Sequence, residues 1–234
     1  MHRLTIVFDL DGTLVDTAPD LVGATNRVLG TFGAAPLPAA LLRPWISHGA
    51  RRMIVEAAVL RRIPMTEAET DRALERFLEH YIANIARESR PFPYAVEALD
   101  RLRRRGATLA VCTNKRESWS RLLLDELAMS DRFAAIAGRD TFPVCKPDPG
   151  HLTGAIALAG GDPAQAVMVG DSGVDIATAR AASIPVIGVS FGYTETPVED
   201  LGPDAVVAHF DQLEAAIDRV WTHPLRPRRV PEQP

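Results

Sequence analysis

A chain of 234 residues, 47% hydrophobic and 24% charged, can bury a sizeable core without disulfide or metal staples. Its net charge of -4 and pI near 5.9 leave no basic excess to neutralise a phosphate backbone, which argues against nucleic acid as the main partner. No apolar stretch reaches membrane-spanning length and Met1-His2-Arg3 does not resemble a signal peptide, so a cytoplasmic protein without a membrane partner is expected.

The first element is the apolar run Leu4-Thr5-Ile6-Val7-Phe8, read as a strand that ends in Asp9-Leu10-Asp11-Gly12-Thr13. Thr17, with Pro19 and Asp20 behind it, reads as the N-cap of a helix. From there to about residue 87 the pattern is helical, at 21–30, 51–62 and 67–86, with no convincing strand. Alternation then takes over, with helices expected at 95–105, 117–128, 151–159, 174–182 and 212–221. Strands are expected at 107–112, 133–137, 166–169, 186–190 and 205–207. Strands separated by helices of ten to fifteen residues imply parallel βαβ units, hence an α/β fold interrupted by an all-helical block. The Pro- and Arg-rich segment 223–234 has little to pack and is expected to be disordered.

Four segments place polar groups after apolar runs: Asp9 and Asp11, Thr113-Asn114, Lys146 after Phe142-Pro143-Val144-Cys145, and Asp171 through Asp175 after 166–169. In an open parallel sheet ligands bind beyond the carboxyl ends of the strands, so the four should converge on one site. Asp9 and Asp11 would project to one side, where a cation could hold Asp9 ionised as a nucleophile while local negative charge keeps Asp11 partly protonated as a proton donor. Thr113 and Asn114 would offer a hydroxyl and an amide to an anion at a helix start, or Asn114 and Glu117 would merely form a capping box. Lys146, one of only two lysines in the chain, precedes Pro147 in a stiff loop and could neutralise a phosphate and Asp9, or be a solvated surface residue. Asp171 and Asp175, one helical turn apart, could reach a magnesium ion or its waters, or cap the following helix. Cys112 and Cys145 lack the neighbours that a zinc site needs.

Asp9-Leu10-Asp11-Gly12-Thr13-Leu14-Val15-Asp16, Thr113-Asn114, Lys146-Pro147-Asp148-Pro149 and Gly170-Asp171-Ser172 through Asp175 together resemble, in order and spacing, the four motifs of the haloacid dehalogenase superfamily of phosphohydrolases. The resemblance implies a Rossmann-like parallel-sheet core with helices on both faces, at 1–15 and 87–222, and an inserted all-helical cap at 16–86. It implies Mg2+ as cofactor, held by Asp9, the Asp11 carbonyl and Asp171 with Asp175 nearby. Asp9 would form an aspartyl phosphate, Asp11 would act as acid and then base, and Gly12, Thr113, Asn114 and Lys146 would receive the phosphoryl group. Trp45-Ile46-Ser47-His48-Gly49-Ala50, Thr113-Asn114-Lys115 and Val189-Ser190-Phe191-Gly192-Tyr193 are similar to the phosphoglycolate phosphatase subgroup, so the expected partner is a small phosphorylated substrate, with a monomer or homodimer as the protein's state.

In the cap, Arg51 and Arg52 would sit in the first turn of a helix, where cations oppose the dipole and something anionic should compensate. The N–H groups at Gly49 and Ala50, with His48 or Arg51, could receive a substrate carboxylate. Otherwise Arg52 pairs with Glu56 and Arg51 is solvated. A phosphonate hydrolase of this superfamily would need a cap lysine, which 16–90 lacks, and Asp11 counts against a dehalogenase. A phosphatase for a sugar phosphate, nucleotide or pyrophosphate remains as the alternative, and behind it a phosphomutase or a non-catalytic phosphate-binding protein.

Overall fold

A computed structural model describes residues 4–194 and 196–222, so the expectations for 1–3 and 223–234 lie outside the described residues. β1 (Thr5–Phe8) leads into β2 (Val15–Asp16), and four helices follow: α1 (Ala18–Thr31), α2 (Ala39–Leu42), α3 (Ala50–Leu60) and α4 (Glu67–Ala83). After β3 (Arg90–Pro91) helices and strands alternate as α5 (Ala95–Arg104), β4 (Thr108–Cys112), α6 (Glu117–Glu126), β5 (Ala135–Ala137), α7 (Pro149–Leu158), β6 (Ala166–Gly170) and α8 (Gly173–Ala181). The described chain closes with β7 (Val186–Val189), β8 (Ala205–Val207) and α9 (Leu213–Thr222).

The large sheet runs β5-β4-β1-β6-β7-β8 with every neighbouring pair parallel. Its strands are buried on both faces. Ile6, Phe8, Leu109, Val111, Val167 and Val169 point into one core with α5, α6 and α9, whereas Val7, Ala110, Cys112, Ala166 and Met168 point into another with α7 and α8. The period-2 alternation of small apolar side chains is what lets helices cover both faces. This is the Rossmann-like α/β core, with the helical cap inserted after the first strand.

Register positions the site. Phe8 lies opposite Val111 on one side and Val169 on the other, so Asp9, Thr113 and Asp171 leave the sheet at the same edge. Asp9 N–H donates to the Val169 carbonyl at 2.9 Å, and Thr113 N–H to the Ala137 carbonyl at 3.0 Å, which carries the pairing past the strand ends.

The cap joins the core through an antiparallel ribbon of β2 and β3, Val15 opposite Pro91 and Asp16 opposite Arg90, two strands too short to register in the sequence pattern. Asp20 fastens the same junction. Its carboxylate accepts from Glu88 N–H, Ser89 N–H and the Ser89 hydroxyl at 2.6–3.1 Å. Thr17 occupies the predicted N-cap position of α1, but its side chain makes no capping bond and its buried hydroxyl has no partner among the described residues. A capping box does form on α4, where Thr66 and Glu69 bond reciprocally at 2.8 and 3.3 Å. Phe142 to Cys145 is the other departure: the segment is a loop after β5, so Lys146 arrives from a loop and not from a strand end.

Candidate active site

A cavity of about 430 Å³ lies between the cap and the carboxyl edge of the sheet. Asp9, Asp11, Thr113, Asn114 and Lys146 line it from the core, and His48, Gly49 and Arg51 from the cap. At its floor Asp9, with Asp171 and Asp175 behind it, all buried, brings the three carboxylates' oxygens within 4.8 Å of one another. Lys146 Nζ sits among them, 2.9 Å from Asp9 Oδ1 and 2.6 Å from Asp175 Oδ1. A solvated lysine is thereby excluded: its side chain is 2% exposed.

Two of the three, Asp171 and Asp175, are anchored on their other side. Asp171 accepts from the Thr13 hydroxyl at 3.0 Å and from Tyr193 N–H at 2.7 Å. Asp175 accepts from Ser172 N–H at 3.1 Å and from its hydroxyl at 2.7 Å, so one of its oxygens caps α8 while the other holds Lys146. The capping reading of Asp175 therefore holds, with its second oxygen on Lys146.

Three carboxylates around one ammonium leave an excess of negative charge in a buried place. Burial, with Asp175 adding to it against Lys146, pushes Asp9 up to about 6. Burial followed by Asp175 and Asp9 pushes Asp171 up to about 8, against the hydrogen bonds from Tyr193 and Thr13. Burial alone would depress the Lys146 ammonium, but Asp175 and Asp9 outweigh it and hold the group charged. Burial pushes the Cys112 thiol up to about 12, which leaves it inert.

These shifts fix the sign of a pH effect. An acid whose folded pKa exceeds its unfolded value binds more protons folded than unfolded between the two, so stability falls as pH rises through that window. His151, held down to about 4 by burial and by Lys146, works the other way, but only below its ordinary value of 6.5. In chelator, the thermal midpoint is therefore expected to decline from pH 6.5 to 8 because folded Asp171 still holds a proton there that the unfolded chain has lost, and a divalent cation is expected to flatten the decline. Thermal unfolding at both pH values checks this, and a metal-free midpoint that rises over the interval would contradict it.

Asp11 stands apart from the triad. Both of its oxygens accept from Lys115 Nζ, at 2.9 and 3.1 Å, and the ammonium lies 4.8 Å from the centre of the Tyr81 ring on α4. The expected negative surroundings of Asp11 are corrected here, since its immediate neighbour is a cation. Asn114 makes no capping box with Glu117, whose N–H goes to Asp140 at 2.8 Å; its side chain instead donates to the Lys146 carbonyl at 3.0 Å. Gly12 is no free phosphate donor either, because its N–H donates to the Val15 carbonyl at 3.0 Å. It supplies room: at φ +83° an added Cβ would lie 2.5 Å from an Asp171 oxygen. In the cap, Arg51 is exposed, as the solvated reading had it, but not free for an anion, since it pairs with Asp71 and, at 3.5 Å, with Glu67. The expected Arg52–Glu56 pair is present at 2.7 Å.

Three neighbours were not singled out for the site from sequence. Lys115 carried a usable signal, being the only lysine besides Lys146. His151 is fully buried; its Nδ1 accepts from Lys146 N–H at 3.1 Å while Nε2 donates to the Gly138 carbonyl at 3.0 Å, so a neutral imidazole fixes the Lys146 loop. Tyr193 lies within a segment that carried the family resemblance but no chemistry of its own.

A profile of haloacid dehalogenase-like hydrolases matches residues 6–189. The chain belongs to this family. A phosphoglycolate phosphatase from Mesorhizobium japonicum is 50% identical over 213 residues, 91% of this chain and 94% of that protein. One from Agrobacterium fabrum is 48% identical over 90% of this chain and 91% of its own length. The crystal structure of a predicted phosphoglycolate phosphatase from Haemophilus somnus superposes with a TM-score of 0.84 at 30% identity, covering 92% of this chain and 97% of that one. As a member of the family the chain is a hydrolytic enzyme of the phosphoglycolate phosphatase-like kind. Among the described residues no helix is long and apolar enough to cross a membrane.

Proposed function

We propose that the chain is a magnesium-dependent phosphomonoester hydrolase that works through an aspartyl phosphate on Asp9 and takes 2-phosphoglycolate or a similar small carboxylated ester. The observation that carries this reading is the buried group of Asp9, Asp171 and Asp175 with one ammonium at the floor of a capped cavity. A divalent cation fits there: the ligands are hard carboxylate oxygens, buried and within 4.8 Å of one another. Asp9, Asp171 and the Asp11 carbonyl would hold it, with Asp175 close by, and when bound it offsets charge on the phosphoryl oxygens.

The chain's own residues do the rest. A carboxylate oxygen of Asp9 attacks phosphorus, the bond to the leaving oxygen breaks, and that oxygen takes a proton from Asp11. Asp11 then accepts a proton from water as the water attacks phosphorus, and inorganic phosphate leaves Asp9 free. Lys146 and the Thr113 hydroxyl face the transferred group. Lys115 holds Asp11 over the cavity and offers its charge to an anionic leaving group. The cap excludes bulk water, with His48 and the Gly49–Ala50 turn at the leaving-group end.

A panel of phosphate monoesters compared by kcat/KM tests the reading: 2-phosphoglycolate is expected to exceed sugar phosphates, nucleotides and phenyl phosphate, and chelator is expected to abolish all activity. Calcium should inhibit, because its larger, looser shell misplaces the nucleophile. Full activity in chelator would contradict the metal assignment. His48→Ala is expected to raise KM for carboxylated esters by about tenfold, ~1.4 kcal/mol, and more than it does for phenyl phosphate. Since Arg51 is held by Asp71 and Glu67, Arg51→Ala should have the smaller effect.

A further inference from the structure

The loop after β7 touches three things that have no sequence proximity. Tyr193 N–H donates to the Asp171 carboxylate at 2.7 Å. The Tyr193 hydroxyl donates to Asp16 at the end of β2 and accepts from Ala18 N–H, at the start of α1, at 3.0 Å. Arg43 of the cap lies over the same ring, 5.0 Å from its centre, and reaches Asp16 at 3.5 Å. Two residues back, Phe191 packs against Phe92, which follows β3, with ring centres 4.6 Å apart. One short loop thus grips both strands of the cap junction and a carboxylate of the buried triad.

There is little slack in this arrangement. A Cβ on Gly192 would fall 2.1 Å from the Asp171 Cβ, and one on Gly12 would fall 2.9 Å from the Tyr193 ring, so backbone and ring are pressed against what they touch. Tyr193 is 2% exposed, which makes its bonds costly to leave unmade. The Arg43–Asp16 pair is weaker, since both side chains are more than a third exposed. Arg43 nonetheless opens the 3-10 segment Arg43–His48, whose end lines the cavity.

We propose that Tyr193 is a positioning residue that registers the cap junction against Asp171, so that cation binding at the triad and seating of the cap are energetically linked. The inference rests on the cation reading given under the proposed function. Because linkage is reciprocal, loosening the junction must weaken the cation, and the cation must steady the cap. Tyr193→Phe isolates the point, since it keeps the ring and the Asp171 hydrogen bond and removes only the hydroxyl.

The test uses Mg2+ alone, without substrate, with calorimetric titration and amide hydrogen exchange of the whole chain. In the wild type Mg2+ is expected to slow exchange in 16–20 and 43–54. In Tyr193→Phe that response is expected to vanish at saturating Mg2+, and the dissociation constant to rise at least about fivefold. Arg43→Ala should shift both in the same direction, and the double variant should bind Mg2+ no more weakly than Tyr193→Phe alone. A purely structural tyrosine would lower the melting temperature and leave the Mg2+ response of the cap intact, and that result overturns the coupling. Failure of the wild type to bind Mg2+ overturns the cation reading and this one with it.

Discussion

Asp9→Asn is expected to remove turnover by at least about 10⁴-fold while leaving the fold intact, because an amide cannot attack phosphorus and binds a hard cation poorly. The accompanying stability change gives the prediction its specificity. Asp9 is one of three clustered buried carboxylates, of which it and Asp175 pair with the one ammonium, so neutralising it relieves repulsion with Asp175 and Asp171. Without metal the variant should therefore melt at or above the wild-type temperature. Steady-state assays of the purified variant and thermal unfolding in chelator measure the two effects. An active variant, or an inactive one that has simply unfolded, would each count against the role given to Asp9.

Lys146→Met should have the opposite stability profile. It removes the counter-ion from Asp9 and Asp175, both buried, and breaking a buried pair by deleting one partner costs about 3–5 kcal/mol. Activity should fall with it, since Asp9 loses the charge that holds it and phosphate loses a donor. Lys146→Arg keeps the charge but has a planar fork where a compact ammonium fits between two carboxylates, so it should recover more stability than activity. Chemical denaturation with kcat measured on the folded fraction separates the two losses. The pairing of the two variants is informative: loss of a negative group should stabilise the metal-free protein and loss of the positive one should destabilise it.

The core of this arrangement could be read from sequence because its elements are local. An apolar run ending in Asp9, another before Asp171, and Asp175 one helical turn later are patterns spanning a few residues, and a parallel sheet does the work of bringing them to one edge. The readings that failed are those in which a distant partner displaced a local one. Asp20 could have bonded the first turn of α1, but Ser89, 69 residues on, offers two donors at once. Asn114 could have capped α6, but the Lys146 carbonyl lies within reach of its amide. Arg51 was given no counter-charge because Glu67 and Asp71 belong to the next helix and only the cap's packing brings them over.

The same physics hid the residues that sequence reasoning passed over. The Lys115–Asp11 pair spans 104 positions and the Tyr193–Asp16 bond 177, and neither leaves a periodic trace. Phe142 to Cys145 misled in the other direction: an apolar run short enough to be a strand is a loop that follows the edge strand β5. What remained readable was Lys146 itself, through its scarcity and the prolines around it.

The most direct measurement is rapid quench of the Mg2+-loaded enzyme with 2-phosphoglycolate, followed by proteolysis and mass spectrometry of the peptides. A transient phosphoryl group is predicted on the peptide containing Asp9, forming and decaying within one turnover, labile to hydroxylamine as an acyl phosphate is, and absent from Asp9→Asn. Turnover of the ester with the label on another residue, or with no phosphoryl-enzyme at any quench time, would contradict the account.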